Sequence, residues 1–430
     1  MRAFNHATHM TRELRAIKGT RDILPGEVEV WQRAEEAARR TFALYGYREI
    51  RTPLIEPTEL FQKSTGSDTD IVTKEMYTFL DRAGRSVTLR PEGTPGVVRA
   101  ALEHAMVDRG EIQRLYYIGP MFRYERPQKG RYRQFSQIGA EVFGSASPAT
   151  DAEVMQMALA LFASLGLGET PLQINSVGHP VCRDAYKERL RAFFEPRRAA
   201  LCEDCQRRLD TNPLRILDCK VPSCAQVRQD APSILDSLCD DCRAHFDEVR
   251  RDLEVLEVPH TVNPRLVRGL DYYTRTTFEI SSSALGAQDA LCGGGRYDGL
   301  VGSMGGPSVP GIGFAIGHDR LVLAMSSTSQ PEPATDVYIV HRGEKTLSEG
   351  LLAATRLREA GLAARLEPDA RDVKKQMSKA AASGARFALI IGERELEEGT
   401  YALKRMSDGT QRSIAARRWA QIEQEVRDGR

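Results

Sequence analysis

Two apolar segments, Tyr116 to Arg123 and Gln134 to Phe143, flank a Pro-Gln-Lys-Gly turn and gather Arg123, Arg126, Lys129, Arg131 and Arg133 around it. This stretch, MFRYERPQKGRYRQFSQIGAEVFG, constrains the chain more than any other. It requires an antiparallel hairpin that holds a cationic loop on rigid strands. Arg supplies a fixed charge and a planar donor fork that matches phosphate oxygens. Gln137 and Glu141, four apart in a strand, point from the same face. A phosphate group and a small polar substrate can therefore meet there. The plainer alternative for a basic run is a solvated hairpin tip.

At 430 residues the chain is too long for one core and should form about two to four domains. Its 60 Lys+Arg balance 59 Asp+Glu, which excludes a generally basic nucleic-acid coat and confines any such contact to local patches. The first residues contain no signal-like apolar run, and nowhere do about 18 uninterrupted apolar residues suggest a membrane span. The expectation is a cytoplasmic protein without membrane contact. Residues before about Met10 read as a disordered extension.

Val28, Trp31, Ala34, Ala38, Phe42 and Tyr45 recur at helical spacing across Glu27 to Tyr45, and Gly46 ends that helix. A strand from Arg48 to Glu56 contains Pro53, which fits only at an edge, a bulge or an interface, so a dimer contact is expected there. Strands at Met76 to Leu80 and Ser86 to Leu89 precede a helix from Thr94 to Val107. Asp151 to Leu165 predicts a helix, and Leu172 to Val177 a buried strand. From His179 to Pro259 cysteines and charged helical pieces replace the strand signal, which marks an inserted domain. Strand character returns at Thr274 to Ser281, then come Gly293-Gly294-Gly295-Arg296-Tyr297-Asp298-Gly299 and PGIGFAIGHDRLVLAM, a strand passing into a helix. Segment 326–334 is Ser/Pro-rich and reads as a linker. Strands and helices then alternate to Ile391, predicting an α/β domain with a mainly parallel sheet and a last hairpin at Asp408-Gly409. The resulting division is 1–178 and 260–325 for a split core, 179–259 for the insertion, and 335–430 for the last domain.

Three further segments carry chemistry. Arg90-Pro91-Glu92-Gly93-Thr94 sets a carboxylate and a hydroxyl at a helix start, suited to an ammonium group or to a plain cap. Leu266 to Tyr273 places Arg268 beside Tyr272 and Tyr273 in an apolar approach, where an unpaired guanidinium would be costly. That arginine needs an anion or a salt bridge. Gly311 to Arg320 brings glycines close to a ligand face or to a packed helix, and ends on Arg320.

Together these segments resemble the histidyl-tRNA synthetases, class II aminoacyl-tRNA synthetases, from Ile17-Lys18-Gly19-Thr20-Arg21-Asp22 onward. IRTPLIEPTELF resembles the family's first motif at its dimer interface, MFRYERPQKGRYRQF the second and GIGFAIGHDRLVL the third; LVRGLDYY and GGGRYDGLV resemble the two stretches peculiar to the histidine enzymes. His318-Asp319 departs from the Leu-Glu pair expected before Arg320. The resemblance implies an α+β class II catalytic core around a mixed, mainly antiparallel sheet, with an inserted domain and a C-terminal α/β anticodon-binding domain. It implies a homodimer that charges tRNA(His) with L-histidine, using ATP with Mg2+. Arg123 and Arg268 would be catalytic, holding the α-phosphate, with Glu125, Arg131, Phe135 and Arg320 completing the ATP site. Glu92, Gly93, Thr94, Gln137, Glu141, Arg268, Tyr272 and Tyr273 would bind histidine, Glu141 and Tyr273 facing the imidazole. Arg126, Lys129 and Arg133 would meet the tRNA acceptor end. A polar pocket of this kind rejects analogues by about four to five orders of magnitude, so no editing domain is expected.

Cys202-x-x-Cys205 and Cys239-x-x-Cys242 suggest a structural zinc site in the insertion, with Cys219 and Cys224 as further ligands. Reduced, merely packed thiols are the alternative, and Cys182 and Cys292 read as small buried residues. A second class of function also fits the core. The regulatory subunit of ATP phosphoribosyltransferase resembles it but is non-catalytic; the continuation after Thr335 and the arginines at 123 and 268 oppose that reading.

Overall fold

The computed structural model describes residues 14–66, 69–107, 110–128, 130–219, 221–286, 289–325, 335–369 and 372–429. The extension before Met10, Lys129 and the linker at 326–334 lie outside the described residues. Two compact units divide the chain, Met1–Ser329 and Gln330–Arg430.

In the first unit, helix α1 (Val28–Leu44) leads to strands β1 (Arg48–Glu49) and β2 (Ile55–Pro57), helix α2 (Thr58–Thr65), and strands β3 (Tyr77–Leu80) and β4 (Ser86–Leu89). The single strand expected from Arg48 to Glu56 is thus two short ones, because the chain leaves the sheet around Pro53, which has no ladder donor. Helix α3 (Thr94–Glu103), the long strands β5 (Gln113–Phe122) and β6 (Gln134–Phe143), helix α4 (Pro148–Ser164) and strand β7 (Leu172–Ser176) follow. The insertion is helical among its described residues: α5 (Pro180–Phe194), α6 (Glu203–Thr211), α7 (Pro222–Val227) and α8 (Asp240–Val255), joined by short 3-10 turns. The chain returns through β8 (His260–Val262), β9 (Thr274–Ser281), β10 (Ala290–Arg296), helix α9 (Leu300–Ser303), β11 (Gly311–Gly317) and α10 (His318–Met325).

Among the described residues, eight strands form the main sheet in the order β1-β5-β6-β11-β10-β9-β7-β8. Its two outermost pairings, β1 with β5 and β7 with β8, are parallel and the internal ones antiparallel, which bears out a mixed, mainly antiparallel class II sheet. Strand alternation explains why one face carries the core and the other the cavity. Ile138, Ala140 and Val142 of β6 and Ile312, Phe314 and Ile316 of β11 join Phe42, Met155 and Phe162 in the largest hydrophobic cluster. The intervening positions, Gln137, Gly139 and Glu141 on β6 opposite Gly317, Ala315 and Gly313 on β11, face the other way. Small residues on β11 leave room above the sheet. A buried ion pair, Asp151 with Arg296, ties α4 to the end of β10; both side chains have zero exposure.

β2, β4 and β3 form a separate sheet. The hydroxyls of Thr58 and Thr78 each lie 2.9 Å from that of Thr88 beneath it. Ile55 and Phe79 on its other face stand 49% and 46% exposed.

The second unit contains β12 (Val337–His341), α11 (Glu344–Glu359), β13 (Ala364–Leu366), α12 (Val373–Ala382), β14 (Phe387–Ile391), α13 (Glu393–Glu397), β15 (Thr400–Arg405), β16 (Gln411–Ala415) and α14 (Trp419–Asp428). β12 pairs in parallel with β13 and β14, whereas β14/β15 and β15/β16 are antiparallel. The expected mainly parallel sheet is therefore half antiparallel: the Asp408-Gly409 turn, with Gly409 at φ +74°, returns the chain directly beside its predecessor.

Candidate active site

β6 and β11 open onto a cavity of about 610 Å³ in the first unit. Arg123, Arg131, Arg268 and Arg320 all line it, although they come from the β5/β6 loop, the segment before β9 and the start of α10. Glu92, Thr94, Gln137, Tyr272 and Tyr273 line the same cavity, as do Glu125 and Phe135. Like charges converge here: burial first, then the charge of Arg131, push Arg320 below its ordinary value. An anion between those guanidinium groups would relieve the repulsion.

Three of these arginines are aimed by specific contacts. Arg123 donates from Nε to the Pro91 carbonyl at 2.8 Å and lies 5.4 Å above the Phe135 ring. Arg131 reaches Glu125 at 3.4 Å. Arg268 pairs with Glu279 and is spaced by glycine: a Cβ on Gly293 would stand 1.9 Å from its Nη2. Burial works to lower Arg268, but the charge of Glu279 and its neighbours carries it above its ordinary value. The charge is kept, as phosphate binding requires.

The carboxylates form a second zone. Glu92 accepts from the Thr65 hydroxyl at 2.8 Å and the Tyr272 hydroxyl at 2.9 Å. Burial pushes it up, against the opposing pull of Arg123. Glu141 has no exposed surface and accepts from Thr94 Oγ1 at 2.6 Å and Tyr297 OH at 2.5 Å. Burial raises it to about 8. A Cβ on Gly313, its register partner, would come within 1.9 Å of its Oε2, so glycine alone fits there. Gln137 turns a buried carbonyl oxygen toward the cavity without a hydrogen-bond partner, an acceptor waiting for a donor.

Some expected residues sit differently. Glu141 stands one layer behind the wall, its carboxylate closed off by Thr94 and Tyr297, because β6 seats it in the sheet rather than at the rim. Gly93 is the N-cap of α3 and lies against the Tyr117 ring, where a Cβ would come within 2.2 Å. Arg126 is exposed outside the cavity, and Arg133 stacks on Tyr124 at 3.8 Å. Sequence reasoning passed over Tyr117, Thr65 and Tyr297 as wall or support residues. Tyr297, directly after the glycine-rich β10, was the one with a readable signal. His318 is buried against Trp31 at 4.2 Å and pushed down to about 4 by burial, while Asp319 accepts from the Ser136 amide at 2.9 Å, so this departure packs α10 onto β6.

The metal set divides. Cys202 and Cys205 gather with Cys219 and Cys224, whereas Cys239 and Cys242 gather with Cys182 and His179. The four cysteines of the two CxxC pairs therefore do not meet at one point, because α6 and α8 begin in different parts of the insertion.

A family model described as histidyl-tRNA synthetase matches residues 19–321, and one described as an anticodon binding domain matches 336–422. The histidine--tRNA ligase of Trichlorobacter lovleyi is 51% identical over 398 residues, covering 93% of this chain and 95% of its own. That of Geobacter metallireducens is 51% identical over 400 residues, covering 93% and 96%. Among solved structures, apo histidyl-tRNA synthetase from S. aureus superposes with a TM-score of 0.79 at 38% identity, covering 97% of this chain and 99% of that one.

Proposed function

The chain belongs to the histidyl-tRNA synthetase family and attaches histidine to tRNA using ATP; from that premise we propose how its cavity divides the work. Arg123 and Arg268 bind the α-phosphate from two sides. The ionised carboxylate of histidine attacks the phosphorus and pyrophosphate leaves, so no general base is needed; two fixed positive charges stabilise the charge that gathers on the phosphoryl oxygens. Arg131 and Arg320 take the γ-phosphate, and Phe135 supports the adenine. In the second step the terminal ribose hydroxyl of tRNA attacks the histidyl carbonyl and AMP leaves.

Glu92, Thr94 and Gln137 receive the ammonium group; the unpartnered carbonyl oxygen of Gln137 supports this. Tyr273 and Glu141 serve the imidazole, with Glu141 reached when Thr94 or Tyr297 yields its bond. Mg2+ suits this donor set, since it is usually held by one or two carboxylates together with phosphate oxygens. Glu125, Glu279 and Asp289 line the cavity, and one or two of them would supply the carboxylates. Bound there, the ion offsets triphosphate charge.

The second unit is the anticodon-binding domain. We assign Arg126, Lys129 and Arg133 to the acceptor end of tRNA. The exposed face of Ile55 and Phe79 on the small sheet supports a homodimer, as expected from Pro53. Residues 179–259 act as a separate insertion domain held by structural zinc. Among the described residues no helix is long and apolar enough to cross a membrane, and we place the protein in the cytoplasm. The non-catalytic regulatory reading is not favoured, given about 50% identity to ligases along most of the chain.

The observation that carries this reading is the convergence of Arg123 and Arg268 on one cavity beside Glu92 and Gln137. Histidine-dependent ATP–pyrophosphate exchange tests it. Arg268→Ala should lower the rate about 10²- to 10³-fold with the fold retained; an unchanged rate would remove Arg268 from the chemistry.

A further inference from the structure

The insertion has a core of its own, and much of it is thiol. Cys182, Cys205, Cys219, Cys224 and Cys242 are buried among Tyr186, Leu190, Phe194 and a few aliphatic side chains. Its described elements are four helices, two of them short, and 3-10 turns without a strand. So small an apolar core needs a staple.

Two are present in outline. In each of the groups Cys202–Cys205–Cys219–Cys224 and His179–Cys182–Cys239–Cys242, one ligand atom per residue lies within 4.8 Å of all the others. A tetrahedral ion with metal–sulfur bonds of about 2.3 Å sets its sulfurs roughly 3.8 Å apart. Cys202 Sγ lies 3.8 Å from Cys219 Sγ. In the second group His179 Nδ1 lies 3.0 Å from Cys182 Sγ. Backbone amides already point at the sulfurs: Cys202 N–H at Cys224 Sγ, 3.1 Å, and Cys239 N–H at Cys182 Sγ, 3.2 Å. Such donors favour the thiolate form that a metal requires.

A repeated local device builds these groups. His179, Cys202 and Cys239 each occupy the residue before a helix, α5, α6 and α8, and their partners Cys182, Cys205 and Cys242 follow three positions later in the first turn. Cap and third helical residue lie on the same side of the helix end, so each pair presents two ligands to one point. Cys219 and Cys224 supply the fourth pair around α7.

We propose that the insertion binds two zinc ions at separate sites, an all-cysteine site formed by Cys202, Cys205, Cys219 and Cys224, and a mixed site formed by His179, Cys182, Cys239 and Cys242. This rests on the zinc reading above and replaces its single site with two ligand sets. The spacing suits one ion per group; the sulfurs around an iron–sulfur cluster stand farther apart. The two ions do different mechanical work. The mixed site joins the chain where it leaves β7 to the start of α8, where it turns back toward the core, and so closes the neck of the insertion. The all-cysteine site anchors α6, whose Arg208 donates to Asp70 at 2.9 Å; just beyond α6, Arg215 donates to the Arg268 carbonyl at 3.3 Å.

Elemental analysis of the full-length protein, purified under reducing conditions without chelator, should give two zinc ions per chain. Cys224→Ser and Cys182→Ser should each lower the content by one. Zinc-edge X-ray absorption on the unaltered protein needs no variant: two filled sites average seven sulfurs and one nitrogen over two ions. One zinc with an all-sulfur shell, kept in Cys182→Ser, overturns the second site and leaves the single-zinc reading standing. No zinc, or iron in its place, overturns both.

Discussion

Replacing Glu141 with Gln should make the unliganded catalytic unit more resistant to alkaline pH while weakening histidine binding. Burial, with the nearby charge of Glu92 adding to it, lifts Glu141 from an ordinary 4.5 to about 8. The folded protein therefore holds a proton that the unfolded chain releases. With the folded value above the unfolded one, this stability is fully present below about pH 4.5 and lost as pH rises to about 8. A gap of about 3.5 in pKa, at about 1.36 kcal/mol each, is on the order of 5 kcal/mol. Gln cannot ionise and avoids the loss. The chain has two tryptophans, so in a Trp419→Phe background Trp31 alone reports the catalytic unit. Urea unfolding at pH 5 and pH 8.5 should show the parent losing on the order of 4 kcal/mol relative to Glu141→Gln. The same substitution should lower kcat/KM for histidine about 10-fold, the worth of one neutral hydrogen bond. Parallel stability across that pH range would refute a buried, protonated Glu141.

Gly293→Ala should displace the Arg268 guanidinium, which stands where the new methyl would go, and cut pyrophosphate exchange about 100-fold with little change in melting temperature. Asp151→Ala leaves the buried Arg296 with Asp298, 3.0 Å away, as its remaining carboxylate and should cost about 3 kcal/mol in urea unfolding. Phe79→Asp places a charge on the exposed face of the small sheet and should shift sedimentation toward the monomer; an unchanged mass would move the dimer contact elsewhere.

Much of the catalytic sheet was legible because long strands and helices repeat their pattern. β6 and β9 fall where alternation places them, and α10 follows β11 as the glycine-punctuated run predicts. β8 and β10 were not seen as strands. β8 is three residues long, and β10 contains Gly293, Gly294 and Gly295, whose weak strand preference is overridden by pairing with β9 and β11. In the site, residue types that carry charge announced themselves, but their supports did not. Tyr297 meets Glu141 across 156 positions of sequence, and Gly313 meets it only through register. Spacing told that the cysteines come in pairs; which pairs join, and that His179 completes one set, is set by where α5, α6 and α8 begin.

The central claim is that Arg123 and Arg268 grip one phosphate from opposite sides. A crystal structure with a non-hydrolysable histidyl-adenylate analogue measures it directly. Both guanidinium groups should lie within hydrogen-bond distance, about 2.7–3.1 Å, of the phosphoryl oxygens. An analogue bound with Arg268 still turned wholly to Glu279, or with Arg123 away from the phosphorus, would contradict the account.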